Sequence, residues 1–153
     1  MKILKSFLYA LQGLKYCIFT QRNFRFHIVT AISVLIVSLF YDFSKSEMMW
    51  LWFAILFVLI CEMVNTAIES AIDMHGGEYN INAKISKDVA AGAVMLAAVM
   101  AVVIAVTLFW DVSKILFVIT FFAERPLLWF AHALYVVLAV CFVMGIPFKK
   151  YNR

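Results

Sequence analysis

Along residues 2–20 apolar side chains return with the helical period. Ile3, Leu4, Phe7, Leu8, Leu11, Leu14 and Ile18 gather on one side at roughly 100° per residue, with Lys2, Lys5, Ser6, Gln12 and Lys15 on the other. A lysine-rich face opposite a Leu/Phe face predicts a helix lying along a membrane surface. Four longer apolar stretches follow. The first, about Ile28–Tyr41, is short for a crossing of ~20 residues unless flanking Phe24, Arg25 and His27 reach up to the interface. The second begins near Met48, after a break at Lys45-Ser46-Glu47, and stays apolar to Cys61. The third, Val89–Trp110, carries no charge. After Asp111–Lys114 comes Ile115–Ala123, too short to cross alone; beyond Glu124-Arg125-Pro126, Leu127–Phe148 is long enough to span.

Composition and charge sharpen this picture. Of 153 residues, 66% are hydrophobic and 14% charged, with a mean hydropathy of +0.98. A soluble domain runs near half apolar and a quarter charged, so the bilayer has to act as solvent for this chain. Soluble Rossmann, disulfide-scaffold and nucleic-acid-binding classes fall away. Lys2, Lys5, Lys15, Arg22 and Arg25 precede any acid, and Lys149, Lys150 and Arg153 close the sequence. Basic flanks stay cytoplasmic, so both ends are expected inside, which favours four crossings over three. Such patches meet anionic headgroups or ATP rather than DNA. Cys17, Cys61 and Cys141 are too scattered for a disulfide frame or a CxxC metal site. No cleavable signal peptide is expected at the N-terminus. Trp50, Trp52, Trp110 and Trp129 read as interface anchors.

The chemistry is expected in the polar stretch Asn65–Asp88. If the second span continues as helix past the membrane, Glu62, Asn65, Glu69 and Asp73 fall within an arc of roughly 80°, three carboxylates and a carboxamide on one stripe. An acid near the bilayer centre costs about 2.5–3.5 kcal/mol, less near the interface, and stacked like charges repel further. A divalent cation bridging the stripe and a phosphate would relieve both costs. The bland alternative is a solvated face or a subunit contact. Ser86-Lys87-Asp88 is expected to open the third span's helix, with Ser86 as its cap and Lys87 free to meet a phosphate.

Glu62-x-x-Asn65-Thr66-Ala67-Ile68-Glu69-x-x-x-Asp73, then Gly77-Glu78-Tyr79, then Lys87-Asp88-Val89-Ala90-Ala91-Gly92-Ala93-Val94, resembles the prokaryotic diacylglycerol kinase family over about residues 2–110. Arg22-Asn23-Phe24-Arg25-Phe26-His27 is similar to the stretch in the Gram-positive, undecaprenol kinase type. No GxxxxGK[ST], HRD or DFG signal of a soluble kinase is present.

The resemblance implies an all-α integral membrane enzyme of the bacterial cell membrane: an interfacial amphipathic helix and a three-helix transmembrane core in residues 1–110, commonly a homotrimer with shared sites. Residues 111–153 would add an extra C-terminal transmembrane helix. The implied reaction moves the γ-phosphoryl group of ATP, with Mg²⁺, to a membrane lipid alcohol, undecaprenol favoured and diacylglycerol next. Glu62 matches the general base, Glu69 a metal ligand, and Lys87 the phosphate-contacting lysine with Asp88 beside it. Glu78, Tyr79 and Asn80 match nucleotide-contacting positions, as do Tyr9 and Lys2 on the surface helix. Asn65 is expected to orient the acceptor or phosphate, and Asp73 to support the site.

One position departs from the family. Gln21 stands where the family supplies a second acidic metal ligand, and an amide oxygen coordinates Mg²⁺ without bringing charge. It is also the one support for a non-catalytic membrane assembly protein that kept the fold. An ion path is disfavoured, because the acids cluster at one membrane face. His132, His75 and the Glu124-Arg125 pair are expected to be ordinary packing, loop and interfacial residues. Gln21→Glu is expected to lower the Mg²⁺ concentration needed for activity; an unchanged Mg²⁺ titration counts against a metal role at position 21.

Overall fold

A computed structural model describes residues 2–74 and 80–148, and every regular element among them is a helix. The order is α1 (Lys2–Thr20), α2 (Arg22–Ser38), α3 (Lys45–Asp73), α4 (Ile81–Phe109), α5 (Val112–Ala123) and α6 (Pro126–Val143), closed by a 3-10 turn at Ile146–Phe148. The surface helix expected over 2–20 matches α1. Its Ile3, Leu4, Phe7, Leu8 and Leu11 stay exposed, as an apolar face meant for lipid must. Helices α3, α4 and α6 are each long and apolar enough to cross a bilayer. Helix α2 has 17 residues, about 25 Å at 1.5 Å per residue, and by itself falls short of a ~30 Å hydrocarbon core.

The ends of these helices are set by local chemistry. Gln21, extended at φ −98° and ψ 112°, separates α1 from α2. Ser44 caps α3 and Glu47 returns the bond to the Ser44 backbone, a full capping box. Lys45-Ser46-Glu47 is therefore the first turn of the helix rather than a break before it. The expected start of α4 also shifts. Its cap is Asn80, whose side-chain oxygen accepts from the amides of Asn82 and Ala83, so Ser86 lies inside the helix instead of capping it. A good cap six residues earlier lets the helix project beyond its apolar segment. Asp111 caps α5, and the Ser113 hydroxyl it accepts holds its carboxyl below the usual range. Pro126 occupies the first turn of α6, as the sequence suggests.

The α3–α4 hairpin is the most extensive contact, with Ala90 and Ala97 of α4 buried. Helix α2 also packs on α3, whose Leu51, Ala54 and Val58 are buried. The C-terminal pair α5–α6 then folds back: Phe40 meets Phe121 and Phe122, and Lys114 pairs with Asp42. Helix α6 returns antiparallel along α2. The Tyr135 hydroxyl shares a 2.7 Å hydrogen bond with that of Ser33, and Val143 reaches the level of Arg25. The two helices thus cover the same height.

Arg25 makes this corner. Its guanidinium donates to the carbonyls of Ile18 and Phe19 at the end of α1 and of Val143 at the end of α6, and the residue is only 4% exposed. Carbonyls in a last helical turn lack intrahelical partners and carry partial negative charge, so one buried cation stabilises two helix ends at once. Gly145 turns the chain over this group at φ +70°, and a Cβ there would come 2.9 Å from Arg25 Nη2. Phe148 then packs edge-on to Phe19, ring centroids 4.6 Å apart. At the other end of α6 the sequence pattern misleads. Arg125 stacks 3.9 Å above the Phe121 ring and donates to the Phe121 carbonyl instead of pairing with Glu124.

Gly145→Ala combines left-handed strain of about 1–2 kcal/mol with the Arg25 clash. Detergent-unfolding titrations are expected to show at least that loss, with earlier proteolysis between α5 and α6. Unchanged unfolding would mean that the α6 end is not held by this corner.

Candidate functional site

Helix α3 runs unbroken through Asp73, so the expected stripe exists on one continuous helix. Burial falls along it: Glu62 is 4% exposed, Asn65 9%, Glu69 is half-buried and Asp73 is open. Each member has its own neighbour. Glu62 Oε1 lies 3.2 Å from His27 Nε2 of α2. Asn65 Nδ2 donates to Glu69 Oε1 at 3.0 Å, one turn along. Asp73 pairs with Lys87 across the α3–α4 hairpin.

A carboxylate as buried as Glu62 is tolerated only when paired. Its partner was not legible as such in the sequence, where His27 reads as a residue flanking the first span. The signal was indirect: a buried acid needs a donor, and Arg22, Arg25 and His27 are the basic residues of the facing helix. Of these, Arg25 is committed to backbone carbonyls and Arg22 is exposed, which leaves His27. Cys17 and Thr66 close the same region from α1 and α3, both buried. Burial pushes the Cys17 thiol up, the hydrogen bond with the Thr66 side chain pulls it back, and the Glu62 charge pushes it up again.

One apolar recess begins a turn before the stripe on α3 and a second adjoins it. The first, of about 360 Å³, lies between α2, α3 and α4, with His27 on its wall among Ala31, Val34, Val58 and Ala101. The other, about 570 Å³, is open between α3 and α4, with Asn65 and Ser86 on its wall. Asn65 therefore stands between a hydrophobic recess and the carboxylate of Glu69. Its side-chain oxygen is buried and has no hydrogen-bond partner among the described residues, a donor-seeking atom inside the site.

The remaining expected positions separate. Asn80 is exposed and spent as the α4 cap; Asp88 is exposed on α4; Tyr9 is exposed on α1. Gln21 sits half-buried at the α1–α2 corner, and its side chain does not cap α2. The Lys2 side chain, His75, Glu78 and Tyr79 lie outside the described residues. Among the described residues no three His, Cys, Asp or Glu side chains gather as a metal cage.

The prokaryotic diacylglycerol kinase family matches residues 8–109. A diacylglycerol kinase of Synechocystis is 42% identical over 103 residues, covering 67% of this chain and 59% of that protein. An undecaprenol kinase of Bacillus subtilis is 36% identical over 108 residues, 71% of this chain and 88% of the relative. A diacylglycerol kinase of Escherichia coli is 28% identical over 110 residues, 72% and 90% respectively. The chain thus spans less than two thirds of the Synechocystis relative. Helices α5 and α6 lie beyond the matched region.

The stripe's outer end is held weakly. Both side chains of the Asp73–Lys87 pair are more than a third exposed, and such pairs contribute at most about 1 kcal/mol. Asp73→Asn is therefore expected to leave the unfolding free energy within about 1 kcal/mol of wild type, measured by detergent titration. A larger loss would make the pair structural.

Proposed function

The chain belongs to the prokaryotic diacylglycerol kinase family, and we propose that it is an ATP-dependent lipid kinase phosphorylating a membrane lipid alcohol, undecaprenol before diacylglycerol. The observation that carries this reading is the gradient along α3. One helix face passes from a buried carboxylate beside an apolar recess, through an amide and a half-buried carboxylate, to an exposed acid paired with a lysine. A substrate with a greasy tail, a hydroxyl and a polyanionic partner needs that sequence of environments.

In this reading Glu62 takes the proton from the lipid hydroxyl as its oxygen attacks the γ-phosphorus; the bond from that phosphorus to the β–γ bridging oxygen breaks, and ADP leaves. Partial desolvation at a membrane boundary suits a carboxylate to proton abstraction. Lys87 leaves Asp73 to meet phosphate oxygens, and Asn65 orients the acceptor or the phosphoryl group. Asp88, Asn80 and Tyr9 are assigned to nucleotide contact, as are Glu78, Tyr79 and the Lys2 side chain, which lie outside the described residues. Glu69, with one oxygen engaged by Asn65, offers the hard carboxylate oxygen that fits Mg²⁺, and Gln21 an amide oxygen. When bound, Mg²⁺ neutralises charge developing on the phosphates, most of what phosphoryl transfer needs beyond positioning.

Residues 1–110 form the kinase unit and residues 111–153 an extension; both chain ends lie in the cytoplasm after four crossings, and the protein works as a homotrimer. The Bacillus relative, named an undecaprenol kinase, supports the first-choice acceptor; the Synechocystis relative, named a diacylglycerol kinase, supports the second.

Purified protein given γ-labelled ATP, Mg²⁺ and both lipids together is expected to label undecaprenol first. Glu62→Gln, folded as wild type, is expected to lose at least about 10²-fold in rate. No lipid labelling by folded wild-type protein would leave the non-catalytic assembly reading in its place. Near-normal turnover in Glu62→Gln would remove the base assignment alone.

A further inference from the structure

We propose that His27 is the positioning residue for Glu62, holding the carboxylate in its working orientation and bordering the recess through which the acceptor arrives. The proposal rests on the lipid-kinase reading. It stands on three observations. His27 Nε2 is 3.2 Å from Glu62 Oε1, and the His27 side chain is 20% exposed against 5% for that of Glu62. The histidine, and not the glutamate, forms part of the wall of the recess between α2, α3 and α4. The stronger cation two residues away, Arg25, is turned to the carbonyls of Ile18, Phe19 and Val143, to which its Nε and Nη1 donate.

The choice of partner has chemical meaning. A permanently charged guanidinium or ammonium beside a carboxylate favours its ionised form and makes it a poor proton acceptor. Imidazole places a ring nitrogen 3.2 Å from the carboxylate and carries no permanent charge, so it positions the group without taking away its basicity. The contact is made to Oε1, which leaves Oε2 to the incoming hydroxyl. When that hydroxyl's proton moves to Glu62, the His27 ring nitrogen still has an oxygen to face, and the pair needs no rearrangement during transfer. The other groups at this level do not replace it: Cys17 interacts with Thr66, and α4 offers alanines and valine to the recess.

The test has two independent readouts on full-length protein in detergent. The first is steady-state kinetics. His27→Ala is expected to lower kcat by about tenfold or more, the usual worth of a bond to a charged group, with KM for ATP unchanged. His27→Gln, which keeps an N–H, is expected to recover most of the loss. His27→Arg, which pairs with permanent charge, is expected to stay as slow as His27→Ala. The second is modification of Glu62 by dicyclohexylcarbodiimide, which reacts with protonated carboxyls in apolar surroundings, followed by mass spectrometry. Removing the imidazole leaves a buried carboxylate with no basic group facing it, so labelling at pH 7 is expected to rise several-fold in His27→Ala and to stay low in His27→Arg, which keeps a cation there. Unchanged kcat in His27→Ala, or equal labelling of Glu62 in His27→Ala and wild type, overturns the proposal. If wild type labels no lipid, the kinase reading fails by itself, and the carbodiimide readout alone decides whether His27 holds Glu62.

Discussion

An acid enclosed by apolar helices has to be answered by a donor, and the pairing of Glu62 with His27 is the constraint on which the arrangement of the core depends. It fixes the register of α2 against α3 within a turn, because a slip of one helical step would part the two groups. It also decides which side of α3 is functional. From Glu62 the stripe rises through Asn65 and Glu69 to Asp73, each step more solvated than the one before. The α3–α4 hairpin supplies Lys87 at the wet end, and the small residues of α4 permit the close approach that brings it there.

Much of this was readable in advance. Three helix-scale apolar runs, the amphipathic first helix and the four-residue stripe follow from a 3.6-residue period and the thickness of a bilayer, both of which act locally. What the sequence misassigned were terminal details settled by single hydrogen bonds. Asn80 rather than Ser86 starts α4, and Ser44 with Glu47 turns a charged break into a first helical turn. Arg125 shows the same limit, since choosing a ring face over a neighbouring acid depends on geometry that adjacency in the chain does not reveal.

The long-range partners were not readable. His27 and Glu62, Ser33 and Tyr135, and Arg25 and Val143 are joined across the bundle with no periodic trace linking them. Composition alone says that buried polar atoms will find partners; only the packing of α2 between α3 and α6 says which. The same packing explains why the basic residues of α2, so alike in sequence, part company. Arg25 turns toward helix ends, and His27, two residues and about half a turn further along α2, turns toward the acid.

The corner under Gly145 has an implication for how the C-terminal extension relates to the rest. Arg25 grips main-chain oxygens, which every amino acid possesses, and the one strict demand made of the tail is a residue able to adopt φ +70°. Docking of this kind reads the shape of a helix end and is indifferent to most of its letters. The end of α6 could therefore drift in sequence while keeping its seat at this corner, whereas the rest of the hairpin is matched to the core by side chains, Tyr135 to Ser33 and Lys114 to Asp42.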